Sequence, residues 1–213
     1  MAFNNNIYLG IDIGTSSVKV VFYGNTNKND FSPLISGTSR KLDITTNGGT
    51  VGCCEQDPAV WIAALHEAVA SALQTDPNIG KYVRAIGVSG QQHGMVALGE
   101  DQEVIRNCLL WCDTQAVEEA KLLSGVASYH IPAGFTGPKI LWMKKHEPIH
   151  FSKTARFLLP HDYINMYLSG GTTIDCMEAG DASGSGFFDA EQRVFDRKLM
   201  DTIDPRLVSM LPS

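Results

Sequence analysis

The sequence predicts an α/β fold, a mixed sheet flanked by helices, and three observations carry that expectation. Two apolar runs rich in β-branched residues open the chain, separated by a short Gly/Ser turn. An amphipathic helix follows near residues 57–73. Beyond it, strand-like and helix-like segments alternate to the end.

Residues 7–13 (IYLGIDI) and 18–23 read as strands joined by Gly14-Thr15-Ser16-Ser17, a β-hairpin. A third strand is expected near 34–39, and the Thr/Gly-rich stretch 43–55 reads as loop. Asp57 is a good N-cap and Pro58 suits the first helical position. Trp61, Ala64, Leu65, Ala68, Val69, Ala72 and Leu73 then recur at helical spacing, so one stripe of this helix is apolar. Asp76-Pro77 ends it. Strands are expected at 83–88, a buried one, and at 95–98 and 104–111, with the loop SGQQHG between the first two. Helices are expected near 114–123, 138–145 and 162–168. No repeat, low-complexity tract or linker interrupts the pattern, so residues 1–213 read as one domain. Residues 207–213 stop without a capping element, as in a chain cut within a larger protein.

The 213 residues are 44% hydrophobic and 19% charged, an ordinary globular composition. The net charge is −6 and the basic residues are dispersed, which argues against a nucleic-acid partner. No apolar run approaches the roughly 20 residues that span a bilayer, so no membrane partner is expected. Residues 1–6 lack a signal-peptide pattern, and the chain reads as cytoplasmic. Cys53, Cys54, Cys108, Cys112 and Cys176 include no CxxC pair and read as reduced, packed thiols. The histidines show no zinc spacing and there is no GxSxG elbow.

Two segments could carry chemistry. At Asp12-Ile13-Gly14-Thr15-Ser16 a strand delivers a carboxylate to a glycine-containing turn. Asp12 could hold Mg²⁺ through water while Gly14, Thr15 and Ser16 face a phosphate. The same residues would also make a plain hairpin turn, with Asp12 bonded to nearby N–H groups. Gly90-Gln91-Gln92-His93-Gly94 offers amide and imidazole groups that suit hydroxyls, or a histidine satisfied by backbone.

GIDIGTSSVKV resembles the first phosphate motif of the FGGY carbohydrate kinases, members of the actin-like ATPase (ribonuclease H-like) fold. SGQQHGM and LLWCDTQ resemble, in order, the sugar loop and the strand-ending Trp motif of that family's xylulokinases. GFTGPKILWMKKH matches the spacing of the family signature at Gly134, Thr136, Lys139, Trp142 and His146. LLPHDYINMYLSG and DASGSGFFD complete the set. The resemblance implies an N-terminal sugar-binding lobe whose Gln92 and His93 contact the sugar and whose Asp12 serves catalysis and the Mg²⁺–phosphate group. It implies ATP and a pentulose, D-xylulose, as small-molecule partners, with a homodimer left open. Gln115 departs from the arginine common in xylulokinases. Trp111 and Trp142 could each wall the sugar or pack: Trp142, on an apolar helix stripe, reads as core, and Trp111, ending a strand, reads as packing but is more open to a ligand role. In this family the catalytic aspartate opens a second, ATP-binding lobe, and no Gly-Gly-Asp-Asn-like segment occurs here. The alternatives are a non-catalytic sugar-binding or dimerising module, or a kinase for another sugar or polyol.

Overall fold

In β1 (Ile7–Ile13) Ile7, Leu9, Ile11 and Ile13 are buried while Tyr8 and Asp12 face out, the period of a strand with one covered face. β1 pairs antiparallel with β2 (Val18–Asn27), which pairs antiparallel with β3 (Asp30–Thr38). The computed structural model describes residues 6–27, 30–46, 50–171 and 176–212. Next along the chain come β4 (Glu55–Gln56), α1 (Pro58–Leu73), a 3-10 turn at Ile79–Tyr82 and β5 (Val83–Gly90). β5 runs parallel to β1, giving the mixed sheet β3-β2-β1-β5. The strands at 18–23, 34–39 and 83–88 are therefore present, each longer than the sequence marks it.

β5 corrects one expectation. It is an edge strand, largely exposed, with Ile86 47% accessible, rather than a buried one. Apolar residues mark a strand but do not say which face is covered.

The sequence treats 1–213 as one lobe, and its contacts divide into two compact units. The first comprises Met1–Asp43 and Ala59–Gln91, and contains the mixed sheet with most of α1. Trp61, Ala64, Leu65, Ala68 and Ala72 of α1 are buried, as their spacing predicts. A Cβ on Gly37 would overlap the Ala68 carbonyl oxygen, so β3 and α1 meet backbone to backbone. Gly37→Ala is expected to cost about 1–3 kcal/mol by overpacking, read as a lower urea midpoint. An unchanged midpoint would mean that the helix does not rest on that strand.

The second unit comprises Ile44–Pro58 and Gln92–Ser213. Its elements are β6 (Val96–Leu98), β7 (Cys108–Leu109), α2 (Val117–Ala127), α3 (Thr136–His146), α4 (Pro148–Lys153) and β8 (Arg156–Leu158). They continue with α5 (Pro160–Leu168), α6 (Ala179–Ser183), β9 (Phe188–Asp189), β10 (Val194–Phe195), α7 (Arg197–Ile203) and α8 (Leu207–Met210). Three antiparallel ribbons, β4–β7, β6–β8 and β9–β10, accompany helices packed around Met95, Leu109, Ile140, Met143 and Phe157.

The strand expected at 104–111 contracts to Cys108–Leu109. Cys108, Leu109 and Leu110 are fully buried, so the apolar run signals burial correctly. The ladder breaks at Arg106, whose buried guanidinium donates to Glu55 and, at 2.7 Å, to Glu147. All five cysteines are free, and Cys176 is exposed rather than packed.

Candidate functional site

In the first unit, Ile13 and Val18 close the hairpin, leaving a four-residue turn, Gly14 to Ser17, at the end of β1. The Gly14 amide donates to Ser17 O at 3.1 Å, and a Cβ on Gly14 would crowd that same oxygen. Its backbone N–H is thus spent inside the turn; what Gly14 offers a ligand is the absence of a side chain. The Thr15 hydroxyl donates to Gln91 Oε1 at 3.0 Å, and Gln91 N donates to Ile13 O at 2.9 Å, so the turn is fastened to the end of β5. The Asp12 and Ser16 side chains are exposed. An exposed carboxylate beside a hydroxyl on a fixed turn presents hard oxygen donors, which suits Mg²⁺ held through water.

In the second unit, Gln92 is exposed and His93 half-buried. His93 sits in the left-handed region, φ 64°, which few non-glycine residues adopt, although histidine does so more readily than most. Its imidazole stacks on Phe135 with ring centres 4.5 Å apart. Nδ1 is buried without a hydrogen bond of normal geometry, although the Gly184 backbone lies beside it. A Cβ on Gly184 would overlap that nitrogen, so only glycine leaves room for the ring. Burial first, and then the nearby Lys139 charge, lower the histidine pKa from its ordinary value. The imidazole is therefore neutral at pH 7, with one donor and one acceptor.

Lys139 is the group beneath this loop. Its residue is fully buried, and Nζ donates to His93 O at 2.8 Å and to Gly134 O at 2.6 Å. Burial lowers its pKa to about 8, partly offset by Cys108, Asp113 and Cys112. Gly134 in turn lies so close to the Trp111 carbonyl that a Cβ would overlap it. Within this unit His93 and Gly134, far apart in sequence, thus meet at one ammonium, and Trp111 packs against Gly134. Trp111 itself is 51% exposed, which overturns the packing reading. Trp142 is partly buried at the core's edge, stacked on His146 and under Arg106, rather than a core residue. Gln115 donates to Asp113 Oδ2 at 2.9 Å, a structural contact.

One further cluster carries no sequence motif. His161 Nδ1 lies 3.0 Å from Asp162 Oδ1 and 4.0 Å from Asp181 Oδ2. Asp181 has both carboxylate oxygens buried without a hydrogen-bond partner among the described residues, and burial raises its pKa to about 6. No short spacing motif joins 161 to 181, so only the fold reveals the pair. Among the described residues no group of three or more His, Cys, Asp or Glu could hold a metal, and no helix is long and apolar enough to cross a membrane.

The mixed sheet with its carboxylate-bearing hairpin is the architecture of a lobe of the actin-like ATPase fold, as solved sugar kinases show. The crystal structure of a "xyloylose kinase" from Brucella ovis superposes with a TM-score of 0.85 at 29% identity, over 97% of this chain and 42% of that one. Gluconate kinase from Lactobacillus acidophilus shares the fold at a TM-score of 0.81 and 22% identity, over 98% of this chain and 41% of that one.

The chain belongs to the FGGY family of carbohydrate kinases, whose N-terminal domain it matches over residues 7–213. Xylulose kinase from Haemophilus influenzae is 34% identical over 94% of this chain and 42% of that relative. Xylulose kinase from Bacillus subtilis is 34% identical over 83% of this chain and 35% of that relative. The chain thus spans less than half the length of these relatives.

Proposed function

We propose that the full-length protein transfers the γ-phosphate of ATP to a pentulose, giving D-xylulose 5-phosphate from D-xylulose. This chain would supply the sugar loop and the first phosphate turn. The observation that carries the reading is His93: a neutral, half-buried imidazole, held in a left-handed loop, whose Nδ1 is buried against Gly184 and whose other ring nitrogen, Nε2, is left to meet a sugar hydroxyl. The 34%-identical relatives named xylulose kinase support the choice of sugar.

In this reading His93 and the exposed Gln92 amide orient the ketose. Asp12 holds Mg²⁺ through water, and the ion supplies charge neutralisation at the transferring phosphate. Thr15 and Ser16 border the phosphate, while Gly14 lets it approach. None of these residues is the base for the attacking hydroxyl, which the family resemblance places in a segment this sequence does not contain.

A coupled ADP-release assay of the full-length protein across D-xylulose, D-ribulose, gluconate and glycerol decides the matter. The highest kcat/KM is expected with D-xylulose. Preference for another of the four overturns the sugar assignment. Sugar binding without any ADP release would favour a non-catalytic sugar-binding module.

A further inference from the structure

We propose that Lys139 and Thr136 are positioning residues for sugar recognition, gripping the main chain of His93 so that its imidazole is presented in a fixed direction. The inference rests on the reading of His93 as a sugar contact, and extends it to two groups that would not touch the sugar.

The geometry is specific. α3 begins at Thr136, and its first two turns send two donors to one acceptor. Thr136 Oγ1 lies 3.2 Å and Lys139 Nζ 2.8 Å from the His93 carbonyl oxygen. A left-handed, non-glycine residue such as His93 carries intrinsic backbone strain, and it persists only where surrounding contacts over-determine it. The two donors over-determine it from below, while Phe135 and Gly184 fix the ring from the side. The second Lys139 bond, to Gly134 O, ties the start of the helical segment to the same point.

A fully buried ammonium with no carboxylate in hydrogen-bond contact among the described residues is costly, and a lysine needed only to fill space would be replaceable by an apolar side chain. Here the ammonium, held by two carbonyls, fixes a strained recognition loop.

The test measures D-xylulose binding by calorimetry and the KM for ATP, on the folded fraction of full-length wild type, Thr136→Val, Thr136→Ser and Lys139→Met. Thr136→Val removes one donor at constant shape and is expected to weaken D-xylulose binding about threefold to tenfold. Thr136→Ser keeps the hydroxyl and should restore wild-type affinity. Lys139→Met should lose about tenfold or more. In all three the KM for ATP should stay near wild type. D-xylulose affinity unchanged in folded Thr136→Val overturns the proposal, as does an equal loss of sugar and ATP affinity, the mark of general destabilisation. If Lys139→Met does not fold, the Val/Ser pair at 136 decides alone. Wild type that binds no sugar overturns the functional reading and the proposal with it; wild type that binds while the variants bind equally overturns only the positioning role.

Discussion

Asp12→Asn in the full-length protein is expected to lower kcat by about a hundredfold or more, the scale on which removing one electrostatic transition-state contact acts. Stability should barely move. Asp12 is paired in β1 through its backbone, opposite Lys19 on β2 and Ser89 on β5, and its side chain is exposed. Asparagine keeps the shape and the backbone pairing and deletes only the charge. Surface changes of this kind alter stability by no more than about 0.5 kcal/mol, or roughly 1–2 °C in Tm. Steady-state kinetics and thermal unfolding on the same preparations check both halves. A large fall in Tm with near-normal turnover per folded molecule would make Asp12 a structural residue of the turn. An unchanged kcat at unchanged Tm would remove it from the phosphate group altogether.

How much of this was legible in the sequence depends on the range of each interaction. The hairpin, α1 and α3 could be read because each declares itself within a few residues: alternation in 7–13, a helical stripe from Trp61 to Leu73, Pro at 138 in the first turn of α3. The short elements α4, α6, α7 and α8 span seven residues or fewer and carry too little periodicity to stand out. At the candidate site, motif order marks Asp12, Gly14, Thr15, Ser16, Gln92 and His93, but not how each is held. Lys139 shows the limit most clearly. In sequence it is a lysine inside an apolar helix, and whether it reaches water or the interior turns on the placement of His93, 46 residues earlier. The environment of Asp181 likewise depends on His161 and Asp162 from another helix. Burial and strain are tertiary properties, and no local pattern encodes them.

His93 offers the second large effect, and its left-handed backbone dictates the choice of variant. Alanine would remove the imidazole and also keep a Cβ residue at φ 64°, where asparagine is among the better-tolerated side chains. His93→Asn therefore isolates the ring. Its loss is not free of structural cost, because the imidazole stacks on Phe135 and fills the space beside Gly184. A decrease of about 1 kcal/mol in unfolding free energy is expected, the scale of one such ring pair. D-xylulose affinity, measured per folded molecule, should fall roughly ten- to hundredfold, since a lost hydrogen bond and an unpaired partner together reach 1.4–2.8 kcal/mol. The KM for ATP should change far less. The pH profile supplies an independent check. The histidine pKa is lowered by burial and by Lys139, so the ring is neutral through pH 7 and 8. Sugar affinity should be level there and weaken in acid, below the ordinary histidine value of about 6.5, as protonation removes the acceptor. His93→Asn should lose that acid limb. Sugar affinity unchanged by the substitution, with the same loss of stability, would make His93 a packing residue and move recognition elsewhere in the chain.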